Sequence, residues 1–278
     1  MTATAERIAL LSGWVRVALE GERLSWFDAT LEGLRAGGGQ RELVRAVGLA
    51  PRKLGKNDLA LSTDDLTGAE RARPGFDPGG LTVDQAARIA FLLAAAERDE
   101  ASFPHSLADL YRTAELAESI AYLRGLPLFP APRALLTVAS EGVRSAVKPV
   151  FEAVAHRSPY PREIFDESAW NQMVLKALFI GSELAPIQGL DERANPDLAE
   201  VLLDYAHERW AAGRSVSPEL WRCVGPFAHG RALKDLERVA ATGTTEERDA
   251  ALQALRASPA AEAGAILARY GQNSSLST

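Results

Sequence analysis

Residues 192–213, "ERANPDLAEVLLDYAHERWAAG", carry a complete set of helix signals. Asn195 can cap the first turn by accepting from one of its orphan N–H groups. Pro196 follows at the first helical position, where its missing N–H costs no bond. Gly213 stands where a helix commonly ends. Between them the apolar residues recur at the three-and-four spacing that lines one face of a helix. The same spacing runs through "SLADLYRTAELAESIAYLRG" (106–125), where Leu107, Leu110, Tyr111, Ala114, Ala117 and Ala121 share a face and "GLPLFPAP" from Gly125 stops the helix. Further helices read at 4–20, 23–36, 39–47 and 82–99, the last capped by Thr82. Ser217-Pro218 repeats the start signal ahead of "ELWRCVG" (219–225), and short helices separated by Gly/Thr and Ser-Pro breaks fill 233–271. No segment alternates convincingly with the period of a strand. The sequence therefore predicts an all-α protein, an irregular helical bundle or a HEAT-like α-solenoid.

One stretch breaks the pattern. "PRKLGKNDLALSTDDLTGAERARPGFDPGG" (51–80) is rich in Gly, Pro and Asp and reads as a long ordered loop with a short helical segment inside it. With that loop and a disordered tail at 272–278, "QNSSLST", residues 1–278 are expected to form a single all-helical domain.

The 278 residues are 47% hydrophobic and 24% charged, enough to build a core without staples. A formal net charge of −6 argues against nucleic acid, because contact with phosphates needs a local excess of Lys and Arg. The single cysteine, Cys223, excludes an intramolecular disulfide and suits a reducing compartment. The N-terminus has no basic region ahead of its apolar run, and Arg16 interrupts that run. No stretch approaches the ~20 apolar residues that span a bilayer. A cytoplasmic protein without direct membrane insertion is the expectation.

Catalytic and metal motifs fail on spacing. Gly55-Lys56 is not a phosphate loop, because the preceding glycine is Gly48 and Asn57 stands where a magnesium-binding hydroxyl belongs. Asp204 and His207 have the i, i+3 spacing of half a carboxylate-bridged di-iron site, whereas the candidate second pair, Glu152 and His156, is spaced i, i+4. Trp210 and Ala211 stand where a zinc helix would carry its second histidine. There is no G-x-S-x-G, and Cys223 has no signature of activation. No metal and no cofactor is expected.

Unusual residues concentrate between 156 and 228, where three of the five tryptophans lie: Trp170, Trp210 and Trp221. In "FDESAWNQMVLKALFIG" (165–181), Asn171, Gln172 and Lys176 interrupt an apolar helix. At about 100° per residue, Gln172, Lys176 and Phe179 share one side, and Asn171, Leu175 and Leu178 an adjacent one. Lys176 has three readings. Its stem packs on apolar surface while the ammonium reaches water. Alternatively it pairs with Asp191 or Asp204 at the mouth of a pocket, since an unpaired buried ammonium loses its charge. The third reading is a structural clamp between helices.

The run "YPREIFDESAWNQMVLKALFIG" (160–181), then "PIQGLDERANPDLAEVLLDYAHERWAAGRSVSPELWRCVGPF" (186–227), resembles the signature of the EboA domain family, bacterial proteins encoded in gene sets linked to metabolite traffic. Upstream, "APRKLGKNDLAL" (50–61) and "TAELAESIAYLRGLPLFP" (113–130) are similar to the family as well. The resemblance implies a role in moving or processing a secondary-metabolite precursor. It also implies partners among the products of neighbouring pathway genes, including a UbiA-type membrane prenyltransferase. Residues that fit the family pattern are Glu115, Glu118, Arg144, Asn171, Lys176, Asp191, Arg193, Asn195, Asp204, Arg209 and Trp210. Of these, all but Glu115 are candidate binding residues, together with Trp170 and His207.

Two functions compete on these residues. The first is a non-catalytic helical accessory protein that binds a small metabolite or a pathway partner. The second is an enzyme acting on an isoprenoid-like or phenolic precursor, with Lys176, Asp204 and His207 as acid and base groups beside Trp170 and Trp210. A third reading makes the polar block a structural network, with function elsewhere.

Overall fold

The computed structural model describes residues 2–271, and the tail expected at 272–278 lies outside them. The described residues form α-helices and short 3-10 turns with no strand beyond an isolated bridge between Asp58 and Thr82, so the protein is all-α. The chain divides at Asp166 and Glu167 into two compact units.

Unit 1 holds α1 (Ala3–Val17), α2 (Gly21–Arg35), α3 (Gln40–Leu54), α4 (Thr63–Ala72), α5 (Val83–Arg98), α6 (Phe103–Thr113), α7 (Leu116–Gly125), α8 (Leu136–Arg144), α9 (Lys148–Ala155) and α10 (Tyr160–Ile164). The sequence of α5, "VDQAARIAFLLAAAER", is apolar nearly all round, as a helix enclosed by others must be. It packs against α1, α2, α3 and α7. A solenoid repeat touches its sequence neighbours alone. The reach from α1 to α5 makes this unit a bundle around a central helix, which departs from the solenoid expectation.

Two charged residues sit inside that bundle. Arg88 and Asp84, with side chains 3% and 4% exposed, pair at 3.0 Å, and the Thr82 hydroxyl donates to the other Asp84 oxygen at 2.6 Å. Arg88 also donates through Nε to the Val47 carbonyl at 3.0 Å. That carbonyl would normally receive the N–H of residue 51, and Pro51 has none. With the orphan satisfied from α5, α3 runs through Pro51 to Leu54, beyond the end expected at 47. The 51–80 segment, expected as one long loop, therefore begins inside α3. It also contains α4, capped by Ser62 and Asp65.

The single helix expected over 106–125 is two. Ala114 and Glu115 are extended, with ψ of 139° and 163°, and the Glu118 carboxylate accepts the Glu115 N–H at 3.2 Å. The Glu-x-x-Glu pair acts as a start signal inside an unbroken apolar stripe, and the start signal prevails.

Unit 2 holds α11 (Glu167–Phe179), α12 (Pro196–Ala211), α13 (Leu220–Val224), α14 (Arg231–Thr242), α15 (Thr245–Ala257) and α16 (Ala261–Tyr270). Asn195 caps α12 as its sequence requires, accepting the Leu198 N–H at 2.8 Å, and Gly213 past its end is left-handed at φ 65°. Ser217 is not the cap of α13. Its carbonyl accepts the Leu220 N–H at 3.2 Å in a tight turn, and Glu219 occupies the cap position. Helices α14, α15 and α16 pack on one another, and α15 lies against α13 and the 3-10 turn Gly225–Phe227. The approach there is close: a Cβ on Gly225 would fall 2.7 Å from the Ala254 carbonyl oxygen.

Candidate functional site

Unit 2 contains a groove of about 880 Å³ bounded by the 184–191 connection, α13 with its following turn, and α15. Leu184, Pro218, Pro226, Ala250, Ala254 and Ala257 give it apolar walls, while Asp191, Glu219, Arg222, Glu246, Asp249 and Gln253 supply polar groups.

The polar groups on the α13 side are held in place. Arg222 donates through Nε and Nη2 to the two Asp191 oxygens at 2.5 and 2.6 Å, a bidentate fork that fixes both side chains. The guanidinium bonds hold the Asp191 carboxyl below the usual carboxylate range, and the carboxylate raises Arg222 in return. The two Glu219 oxygens accept the N–H groups of Leu184 and Ala185, each at 2.8 Å, tying the connection to the start of α13. Cys223 is buried, and burial pushes its thiol up to about 12, so it offers no thiolate at neutral pH.

Among the residues singled out from sequence, Asp191 alone lines this groove. Asn171 and Asn195 exchange amide hydrogen bonds at 3.1 and 2.8 Å, joining α11 to the start of α12. The Arg193 guanidinium lies 4.8 Å above the ring of Trp170, which is fully buried. Arg209 donates to the Ser215 carbonyl at 2.9 Å and closes the turn after α12.

Two of the three groups read as acid and base, Asp204 and His207, are engaged by residues of α14. Asp204 pairs with Arg231 at 3.0 Å, and the same guanidinium takes Glu200 at 2.9 Å. His207 Nε2 stands 2.7 Å from Asp235 Oδ2, and its ring is 5.6 Å from that of Trp210. Trp210 stacks on Trp221 at 5.9 Å, with the Arg238 guanidinium 4.4 Å from its ring centre. The two aspartates considered as partners for Lys176 in one of its three readings are paired with arginines, Asp191 with Arg222 and Asp204 with Arg231. Lys176 is half-buried on α11, which fits an apolar stem lying along the helix surface. Glu118 and Arg144 belong to unit 1, the first capping α7 and the second exposed at the end of α8.

Sequence reading missed Arg222, Glu219, Asp235, Arg231 and the whole α15 wall. Arg222 and Asp191 are 31 positions apart, as the separation of their hydrogen-bonded atoms in the chain records, so no local spacing couples them. Among the described residues no group of three or more His, Cys, Asp or Glu is placed to hold a metal ion, and no helix is long and apolar enough to cross a membrane.

A family model described as metabolite traffic protein EboA matches residues 7–225. No curated protein and no solved structure matches the chain. The matched span runs from α1 to the start of the turn after α13, which leaves α14, α15 and α16 beyond it.

Proposed function

The chain belongs to the EboA family of metabolite traffic proteins, and on that footing we propose that it holds a small precursor without transforming it, in the groove of unit 2. The Asp191–Arg222 fork carries the reading. A guanidinium has five N–H donors and two are used on Asp191, so the fork keeps hydrogen-bonding capacity while its charges offset one another. A volume of about 880 Å³ with apolar walls and a few fixed polar groups suits a small molecule.

Asp204 and His207 are held by Arg231 and Asp235 and neither lines the groove, which supports a carrier over a catalyst there, because acid and base groups must reach the reacting centre. In this reading the protein works in the cytoplasm. It passes its cargo to products of neighbouring pathway genes, among them a UbiA-type membrane prenyltransferase, by docking rather than by insertion.

Native mass spectrometry of the protein, purified gently from cells that also express its neighbouring genes, tests this. The expected result is a retained small molecule that is lost from Ala250→Trp, in which the new ring fills the groove. Undiminished retention in that variant would place the ligand elsewhere.

A second reading has one observation in its favour. Asp235 holds the His207 imidazole at 2.7 Å beside Trp210, the base-and-orienter half of a catalytic arrangement. Conversion of the co-purified molecule by the wild type but not by His207→Gln would favour an enzyme.

A further inference from the structure

Two arginines of unit 1 meet at one glycine. Arg124, half-buried on α7, donates through Nη1 to the Gly80 carbonyl at 2.6 Å and to Gln85 Oε1 at 3.2 Å, and through Nη2 to the Gly79 carbonyl at 2.7 Å. All three acceptors are neutral, so the guanidinium is fixed in place with its charge unpaired among the described residues. Of its five N–H donors, the one on Nε and one on Nη2 are left over. Arg157 reaches the same point from the segment after α9. A Cβ on Gly79 would collide with Arg157 Nη1, so this guanidinium occupies the space that the missing side chain leaves.

Arg157 gains little there as a structural residue. Its backbone is left-handed at φ 54°, a conformation that a long side chain adopts at a cost. Its guanidinium donates no hydrogen bond among the described residues, and its ion pair with Asp77 Oδ2 is long, at 3.9 Å. The other Asp77 oxygen is turned onto the Gly79 N–H at 2.7 Å. Arg157 stands instead beside a second cation: burial, and then Arg157, lower Arg124 to about 10, with Asp77 acting against them. Fastening the 79–80 turn needs Arg124 alone. Two neighbouring guanidiniums with spare donors and one distant carboxylate between them suit an acceptor that carries two negative charges. We propose that Arg124 and Arg157 bind a dianionic phosphate group at Gly79, Arg124 as the fixed half of the clamp and Arg157 as the exposed half. The oxygens of a phosphate accept from several N–H groups at once, and its two charges balance the two guanidiniums. Gly79 is required because a side chain there would displace Arg157. The site lies wholly within unit 1 and does not depend on the groove of unit 2.

Inorganic phosphate and phenyl phosphate, titrated into the full-length, nitrogen-15-labelled protein at constant ionic strength, test this through the amide shifts of Gly79 and Gly80. At about pH 7.5 both probes carry nearly two charges, and acetate serves as the singly charged control. Both phosphates should shift the two amides saturably and acetate should not. Tighter binding of the ester would identify a phosphorylated metabolite as the source of the group, and tighter binding of inorganic phosphate the free ion. Arg157→Gln should weaken both about fivefold, as for one exposed ion pair. Gly79→Ala keeps both charges and displaces Arg157, and it should weaken them as well. No saturable shift of Gly79 and Gly80 with either phosphate, equal binding of acetate, or undiminished phosphate affinity in Arg157→Gln overturns the proposal.

Discussion

Pro51 removes one hydrogen bond from α3, and Arg88 supplies it from α5. The arginine does three things at once: it fills the Val47 carbonyl, neutralises Asp84, and reaches the Ala117 carbonyl of α7 at 3.3 Å. Arg88→Met should therefore destabilise unit 1 by about 3–5 kcal/mol in urea unfolding, because it leaves a buried carboxylate without its partner. Arg88→Met/Asp84→Leu should cost less than the single change, and a larger loss in the double variant would show that packing matters more than the charge. Nothing local in "VDQAARIAFLLAAA" tells that Arg88 answers a proline on another helix, so the sequence showed the helix and hid its most consequential residue. At the groove, the sign of the Asp191 effect fixes a pH window. Its carboxyl is held low by Arg222, so the stabilisation is present above the unfolded value of about 3.9 and is lost as pH falls through the folded one. The pair is largely exposed, which keeps the gain small. Titration of the Asp191 carboxyl carbon by NMR should give a higher midpoint in Arg222→Gln than in the wild type, and equal midpoints would mean the fork does not persist in solution.

Helix ends decide more than helix interiors in this chain. The start of α12 was legible because Asn-Pro is a local signal, and Asn171 stood out as an amide in an apolar helix. That the two amides meet was not legible, since their 24-residue separation is closed by tertiary packing. Asn195 thus serves four bonds from one side chain, accepting the Leu198 N–H and the Asn171 amide and donating to Asn171 Oδ1 and the Arg193 carbonyl. Asn195→Ala should lose them all, about 1–3 kcal/mol in chemical denaturation, whereas Asn195→Asp keeps the acceptor for the cap and should lose less. If the two variants are equally stable, the cap contributes nothing. The opposite error occurred at 114–115, where an apolar stripe at helical spacing continues across a real break. Hydrophobic periodicity reports which face is buried, and it is blind to a cap that restarts the helix in phase. Gly225 is a third kind of case, a residue whose role is set wholly by its neighbour. The space that a Cβ on Gly225 would need is taken by the Ala254 backbone, so Gly225→Ala should push α15 off α13 and destabilise unit 2 by about 1–3 kcal/mol, readable as a lower urea midpoint.

On the scale of the whole molecule, the family-matched span and the compact units have different borders. The match ends at residue 225, whereas unit 2 runs on through α14, α15 and α16. Those last helices looked ordinary in sequence, being short, amphipathic and without a motif. Of the candidate residues between 156 and 228, Asp191 lies on one wall of the groove. The other wall, α15, is defined by where it packs, which no spacing within 245–257 reveals. The late helices also complete their own unit: Asp235 meets His207, Arg231 meets Asp204, Arg238 covers Trp210, and α15 lies on α13. A chain ending at residue 230 should therefore fail to complete unit 2, with tryptophan fluorescence shifted to the red, strong ANS binding and no cooperative transition for that part. A chain ending at 166 retains all of α1 to α10 around α5 and should unfold in one cooperative urea transition, because its buried helix keeps every partner within the unit. The two truncations separate two meanings of the border at 225. If the 230-residue chain keeps a native tryptophan environment, α14 to α16 are an addition to a finished fold, and α15 could vary at little cost to stability. If it does not, the α15 wall of the groove also completes the core, and any change to that wall must preserve its contact with Gly225.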